Sequence, residues 1–187
     1  MPYNPEDRFC GWQRNVIDEF KDMSMDEINQ QLDARSNGFA VLMTHVEKDF
    51  NIGTVLRSSN FFGAREFFYW GRKRFDRRST VGVHNYTQMN FLDSIEQVVE
   101  LKRRYVLVGL ENNVPGTVSI YKFDWRFEKP PCIVVGEECG GIHADVLSIC
   151  DRLVEIPNYG SVRSLNVGSA ASLAMHDYVA KTRQQVI

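Results

Sequence analysis

We predict an α/β fold for this 187-residue sequence, with a parallel sheet and helices on both faces. Short apolar runs recur along the chain, segments with helical periodicity separate several of them, and the runs are apolar almost throughout. A continuous apolar pattern is typical of strands that are buried on both faces, because crossover helices cover such a sheet. At this length we expect one domain, with room for a small extension.

The composition is that of an ordinary globular protein. Hydrophobic residues make up 43% of the chain and charged residues 25%, which excludes collagen-like and fully disordered classes. No apolar run approaches the roughly 20 residues that a membrane helix requires. The first residues also lack the apolar segment of a secretion signal, so we expect a cytoplasmic protein without a membrane partner.

The net charge and the spacing of the cysteines disfavour further classes of protein. The net charge is −2, which disfavours a generally basic nucleic-acid binder but leaves a local basic patch open. None of the four cysteines is spaced as Cys-x-x-Cys, and none of the four histidines has ligand spacing. We therefore expect neither a disulfide framework nor a metal site.

The first 36 residues have helical patterns, and residues 1–37 are predicted to be an N-terminal helical extension of a domain at 38–187. Ser24 and Glu27 have the spacing of a capping box, and Asn37 with Gly38 is a typical helix end. Four apolar residues before the box fall on one face of a predicted helix: Trp12, Val16, Ile17 and Phe20.

The rest of the chain alternates between strands and helices. The predicted strands are 39–43, 66–70, 105–110, 132–135 and 153–156. The predicted helices are 52–62, 92–103, 144–150 and 166–183. The polar and aromatic stretch 112–131 contains a Pro-Gly turn, and we expect it to be a loop over the sheet edge.

Ligands of open α/β sheets bind outside the carboxyl ends of the strands, so the segments after three of the predicted strands are candidate ligand sites. After the first strand, Asn51 is a candidate helix N-cap, and Arg57 stands in a helix whose neighbours Val55, Leu56, Phe61 and Phe62 are expected to face the core. A buried Arg57 would need a partner. The simplest alternative is an exposed arginine on an amphipathic helix.

The second strand end is glycine-rich, with Gly136, Gly140 and Gly141 around two acids. Such a turn lets a ligand approach the backbone closely, but a plain tight turn is equally compatible. The segment has neither the dinucleotide-binding nor the P-loop pattern, which disfavours a nucleotide-dependent oxidoreductase.

The third strand end runs from Ile156-Pro157 through a polar loop to a helix that starts with small residues. Ser164 and Asn166 bring a hydroxyl and an amide to the start of that helix. Both residue types also cap helices for purely structural reasons.

Together the three segments resemble the SpoU (TrmH-like) branch of the SPOUT RNA methyltransferases. Asn51-x-Gly-x3-Arg57 resembles motif 1, Gly136-x-Glu138-x-x-Gly141 resembles motif 2, and Ser164-Leu165-Asn166-Val167 after Ile-Pro resembles motif 3. Their order and spacing match over about residues 38–183. The departure is Gly168-Ser169 after motif 3, where the family usually has another pair of small residues.

The resemblance implies a fold with a C-terminal trefoil knot, the cofactor S-adenosylmethionine, and methylation of a ribose 2′-hydroxyl in RNA, with tRNA favoured and rRNA open. It implies catalytic roles for Arg57, Asn51, Glu138, Ser164 and Asn166. It implies cofactor contacts at five further positions: Leu110, Gly136, Gly141, Ile156 and Leu165. It also implies a homodimer in which Arg57 approaches the partner's cofactor. The last helix, with Leu173, Met175 and Tyr178, is the candidate interface; the alternative is that these residues only cover the sheet.

A basic loop follows the second strand and is the candidate RNA contact. Its cations are Arg72, Lys73, Arg74, Arg77 and Arg78. Cations interleaved with an aromatic suit phosphate contact and stacking, although such runs are often only solvated loops. A non-catalytic RNA-binding module on the same scaffold is the remaining alternative, and binding of S-adenosylmethionine would distinguish the two.

Overall fold

A computed structural model describes residues 16–46, 49–137 and 140–183. It confirms the predicted parallel α/β architecture. The sheet has seven strands in the order β3-β2-β1-β6-β4-β7-β5, and every neighbouring pair is parallel. The strands are β1 Ala40–Val46, β2 Glu66–Gly71, β3 Met89–Leu92, β4 Val106–Leu110, β5 Val118–Ser119, β6 Pro131–Val135 and β7 Arg152–Glu155.

Helices cover both faces of the sheet. They are α1 Met25–Ala34, α2 Asp49–Phe61, α3 Ile95–Leu101, α4 Ala144–Ile149 and α5 Val167–Arg183. Side chains alternate along β1: Val41 and Met43 belong to the core under α2 and α5, whereas Ala40 and Leu42 belong to the core under α3 and α4. This two-sided burial explains the continuous apolar runs in the sequence.

All five predicted strands are present, and the structure adds two. β3 and β5 form the two edges of the sheet. The predicted loop at 112–131 is partly wrong, because it contains β5 and a 3₁₀ turn at Ile120–Lys122. It also buries Trp125, whose indole N–H donates to Asp177 Oδ2 at 2.7 Å. This segment is therefore fastened to α5 by specific contacts.

At the N-terminal side, the predicted capping box is present. The Glu27 amide donates to Ser24 Oγ at 3.3 Å, and the Ser24 amide donates to Glu27 Oε2 at 2.8 Å. The helix predicted before it is wrong for the described residues, which form only a 3₁₀ turn at Asp18–Phe20; Trp12 lies outside them. Helix α1 ends at Ala34, earlier than predicted.

Two predictions for the long helices are also wrong. Helix α2 begins at Asp49, so Asn51 is a buried residue inside the helix and does not cap it. Phe61 was expected to face the core, but 82% of it is exposed. In α5, by contrast, Met175 and Tyr178 are buried in the core, so of the predicted interface residues Leu173 alone is largely exposed.

Candidate functional site

The carboxyl ends of β4, β6 and β7 surround a cavity of about 490 Å³, which we call the strand-end cavity. Its wall contains all five residues to which the sequence resemblance assigns cofactor contacts: Leu110, Gly136, Gly141, Ile156 and Leu165. Ser164 also lines it. The fold thus brings residues from three separate strand ends into one concave surface.

The glycine loop after β6 requires its glycines. Glu137 and Gly141 pair through two backbone hydrogen bonds, of 3.1 Å and 3.0 Å, which close the loop. A Cβ on Gly136 would collide with the backbone of Gly141. Gly141 has φ +65°, and a Cβ there would collide with the carboxylate of Glu111. Glu138, which was predicted for this loop, lies outside the described residues.

Glu111 and Asn112 directly follow β4, and sequence reasoning missed both. Glu111 Oε2 accepts the Ile142 amide at 2.8 Å, and its Oε1 accepts the Asn112 amide at 3.1 Å. Asn112 Oδ1 accepts the Ile156 amide at 3.3 Å. The two side chains therefore tie together the loops that follow β4, β6 and β7, and both line the strand-end cavity.

Motifs 1 and 3 meet through two asparagines. Asn166 Nδ2 donates to Asn51 Oδ1 at 3.2 Å, so the pair links α2 to the start of α5. Asn166 Oδ1 also accepts the amides of Gly168 and Ser169, at 2.9 Å and 3.3 Å. Asn166 therefore does cap α5, as the structural alternative expected, and it holds Asn51 as well.

Arg57 is exposed and lies away from the strand-end cavity. It lines a second cavity of about 670 Å³, which we call the Arg57 cavity. The walls of this cavity come from α2 and the N-terminal extension, including Phe20, Ile28 and Phe61. The two cavities share no lining residue. Within one chain, Arg57 and the glycine loop thus belong to different surfaces.

The predicted basic loop follows β2, and its five cationic residues are exposed. Arg78 donates to both carboxylate oxygens of Asp76, and these hydrogen bonds lower the pKa of that carboxyl. Lys73 lies over the Phe91 ring, 5.5 Å from its centroid. The positive charge of Arg78 is therefore already offset within the protein by the carboxylate of Asp76.

Among residues 16–46, 49–137 and 140–183, no group of His, Cys, Asp and Glu side chains could hold a metal ion. Burial raises the pKa of the Cys132 thiol well above its usual value and that of Cys150 to about 12. Both thiols stay protonated at neutral pH, which makes them poor metal ligands. No helix in the described part of the chain is long and apolar enough to cross a membrane.

Comparison with known proteins identifies the family of this chain. The family model of the SpoU rRNA methylases matches residues 38–176. The chain belongs to the SpoU methylase family. A curated relative, the tRNA (guanosine(18)-2′-O)-methyltransferase of Aquifex aeolicus, is 24% identical over 155 residues, which cover 80% of this chain and 72% of the relative.

Two solved SpoU-family structures resemble the fold. The A. aeolicus TrmH/SpoU tRNA modifying enzyme has a TM-score of 0.74 at 22% identity, with 86% of this chain and 83% of that chain covered. The SpoU methyltransferase AviRb from Streptomyces viridochromogenes, solved with AdoMet, has a TM-score of 0.70 at 27% identity. That match covers 80% of this chain and 60% of AviRb.

Proposed function

We propose that this SpoU-family protein transfers a methyl group from S-adenosylmethionine to a ribose 2′-hydroxyl of structured RNA, with tRNA as the first candidate. The observation that carries the proposal is the strand-end cavity, which gathers every residue assigned to cofactor contact, from motifs 2 and 3 and from the end of β4. The relative from A. aeolicus supports tRNA as the substrate, whereas the family description supports rRNA.

The residues of the cavity fit this cofactor. Its volume of about 490 Å³ is in the range of small-molecule sites, and its glycine loop leaves no room for side chains at Gly136 and Gly141. Glu111, Glu137 and Arg163 bring charged groups of both signs to the wall. When bound, S-adenosylmethionine supplies an electrophilic methyl group on a sulfonium.

The remaining residue roles are those that the family resemblance implies. Arg57 orients the acceptor hydroxyl and its neighbouring phosphate through its planar guanidinium, and it assists loss of the hydroxyl proton. Asn51 and Asn166 hold motifs 1 and 3 together by their hydrogen bond. Ser164 completes the cavity wall. Glu138 keeps the role that the resemblance implies, which is to order the glycine loop.

The active unit is a homodimer in this proposal. Arg57 does not line the strand-end cavity of its own chain, and in our proposal a second copy brings the two together. The surface shared by α2 and α5 presents exposed apolar area at Phe61 and Leu173, beside the Ser58–Ser172 hydroxyl pair. Burial of such area is favourable on association.

The C-terminal segment forms the trefoil knot of the family. The contacts that support this hold the chain after β5 over α5: Lys181 Nζ donates to the carbonyl oxygens of Ile120 and Phe123, and Trp125 donates to Asp177. In this proposal the enzyme acts in the cytoplasm.

Residues 1–37 are an extension outside the catalytic domain at 38–187. Phe20 and Ile28 of the extension pack with Tyr86 of the domain in a small apolar cluster, which holds the described part of the extension against the domain. The basic loop, with Arg72, Lys73, Arg74, Arg77 and Arg78, contacts the RNA backbone.

The proposal is tested by mapping 2′-O-methylated nucleotides by mass spectrometry in RNA from cells with and without the protein. We expect one ribose methylation to disappear from tRNA when the gene is deleted. Restoration by the purified protein with S-adenosylmethionine would assign it directly. Loss of a methylated ribose from rRNA would instead assign rRNA, and an unchanged pattern with no cofactor binding would refute the function.

A further inference from the structure

A small pocket of about 200 Å³ adjoins the strand-end cavity; we call it the side pocket. The two share five lining residues: Asn112, Ile156, Arg163, Ser164 and Leu165. The Arg57 cavity, although larger, shares none with the strand-end cavity. Within the described residues, the side pocket therefore adjoins the cavity that is assigned to the methyl donor.

This continuity matters because methyl transfer needs close approach. The attacking oxygen must come within about 3–3.5 Å of the reacting carbon, in line with the bond that breaks. The nucleotide that carries this oxygen must then occupy space directly beside the donor. The side pocket meets this requirement within one chain.

The outer wall of the side pocket has the chemistry of an RNA contact. Tyr159 is 86% exposed, and Val162 beside it is 62% exposed. Asn158 holds this turn: its Oδ1 accepts the Gly160 amide at 2.8 Å, and its Nδ2 donates to the Val162 carbonyl oxygen. Arg163 adds a positive charge on the wall between the two spaces. An aromatic ring held out into solvent next to a cation suits base stacking with a phosphate contact.

We propose that the side pocket receives the acceptor nucleotide of the RNA, with its base stacked on Tyr159 and its phosphate beside Arg163. The inference rests on the proposed function and adds a binding site for the substrate. Stacking on an aromatic is tolerant of base identity, so this contact fixes the nucleotide's position and leaves sequence selection to other parts of the surface.

The test compares three variants of the full chain: Tyr159→Ala, Tyr159→Phe and Tyr121→Ala. Tyr121 is the matched control, because it is also a largely exposed tyrosine (65%) but lines neither the side pocket nor the strand-end cavity. The probe is bulk tRNA from cells that lack the protein. The measurements are the RNA Kd of the protein without cofactor, the Kd for S-adenosylmethionine, and the KM for tRNA.

Loss of one base–aromatic stack should weaken RNA binding by Tyr159→Ala about 5- to 100-fold. Tyr159→Phe keeps a ring and should stay within about two-fold of the wild type, as should Tyr121→Ala. The Kd for S-adenosylmethionine should be unchanged in all three. An RNA Kd of Tyr159→Ala equal to that of Tyr121→Ala would overturn the inference, as would an equal loss of cofactor affinity, since that would mean a collapsed loop. Wild-type protein that binds no S-adenosylmethionine would instead refute the proposed function.

Discussion

The two large cavities of this chain are built in opposite ways. The strand-end cavity is walled by loops that are cross-linked through backbone amides, with Glu111 and Asn112 as the connecting side chains. The Arg57 cavity is lined mostly by apolar side chains, together with the polar Thr54, Ser58 and Asn60 of α2, and Arg57 is its one charged lining residue in the described structure. The first has the rigid backbone surface that a small polar ligand needs, whereas the second has the side-chain surface of a packing interface.

This difference separates two tasks within one chain. Hydrogen-bonded loops fix the shape of a ligand site to a fraction of an ångström, because each amide has a defined partner. Apolar walls tolerate small shifts and favour association. This difference indicates that binding of the methyl donor and transfer of its methyl group depend on different regions. Substitutions in one cavity should therefore leave the structure of the other unchanged.

The largest effect is expected from replacing Arg57, which tests whether methyl transfer and cofactor binding can be separated. Arg57→Ala should lower methyl transfer by about 100-fold or more, since in our proposal Arg57 orients the acceptor and assists loss of its proton. Its Kd for S-adenosylmethionine should stay within about two-fold of the wild type. Calorimetry and transfer of a radiolabelled methyl group to tRNA measure the two quantities.

Mixing Arg57→Ala with Gly136→Ala in one co-expressed preparation sharpens the comparison. If Arg57 serves the cavity of its partner, half of the dimers are mixed and carry one complete site out of two, which gives about a quarter of wild-type activity. Arg57→Ala expressed alone is the control. A mixture as inactive as that control would place Arg57 and the cavity in the same chain and contradict the homodimer.

The next effect concerns the glycine loop. Gly136→Ala introduces a Cβ into the backbone of Gly141, so the loop must shift, and we expect cofactor affinity to fall by roughly 10- to 100-fold. RNA affinity should be unchanged. Gly116→Ala is a control for backbone strain without a collision, because Gly116 has φ +87° and its Cβ would meet nothing within 4 Å. Equal cofactor binding by both variants would show that the loop is not the cofactor site.

A smaller effect is expected from Glu111→Ala, which leaves the Ile142 amide without its acceptor. Cofactor affinity should fall by about 10-fold. Amide exchange should accelerate at Ile142 but not at Leu107 in β4, which separates a local effect from general unfolding. Glu155→Ala is the matched control, since Glu155 is the last residue of the neighbouring strand β7 and its carboxylate accepts the Thr117 hydroxyl, at 3.0 Å. Slow exchange at Ile142 in the Glu111 variant would exclude the positioning role.

The smallest effect concerns charge in the basic loop. Replacing Arg74 and Arg77 by glutamine should reduce the slope of log K against log salt for RNA binding by up to about 0.9 per lost phosphate contact. Arg78→Gln should change it least, because Asp76 already offsets that charge. Filter binding over a range of salt concentrations measures the slopes. A larger change for Arg78 than for the other two would mean that RNA displaces Asp76.

Several elements of the fold and site were predictable from the sequence because they depend on local residue patterns. The buried strands, the Ser24–Glu27 box and the order of the three motifs depend on neighbouring residues alone. The edge strand β3 was missed because its Met89, Asn90 and Phe91 are only partly buried and give no continuous apolar signal. Strand β5 is two residues long, which is too short for any periodicity.

The missed site residues depend on tertiary contacts. Glu111 acts on an amide 31 residues further along the chain, and no spacing rule marks such a partner. Phe61 was placed in the core from helical periodicity, but its position at the end of α2 leaves it exposed. Asn51 was read as a cap because asparagine often is one, whereas its actual partner is Asn166 in motif 3.

The position of β6 in the sheet has a consequence for how the chain folds. β6 lies between β1 and β4, and it pairs with β1 across roughly ninety residues, as at Ala40 and Cys132. Until residues 131–135 leave the ribosome, β1 and β4 each present an unpaired edge, and neither can complete the sheet alone. Such long-range pairing slows folding, so these unpaired edges can associate with other chains while the protein is being made.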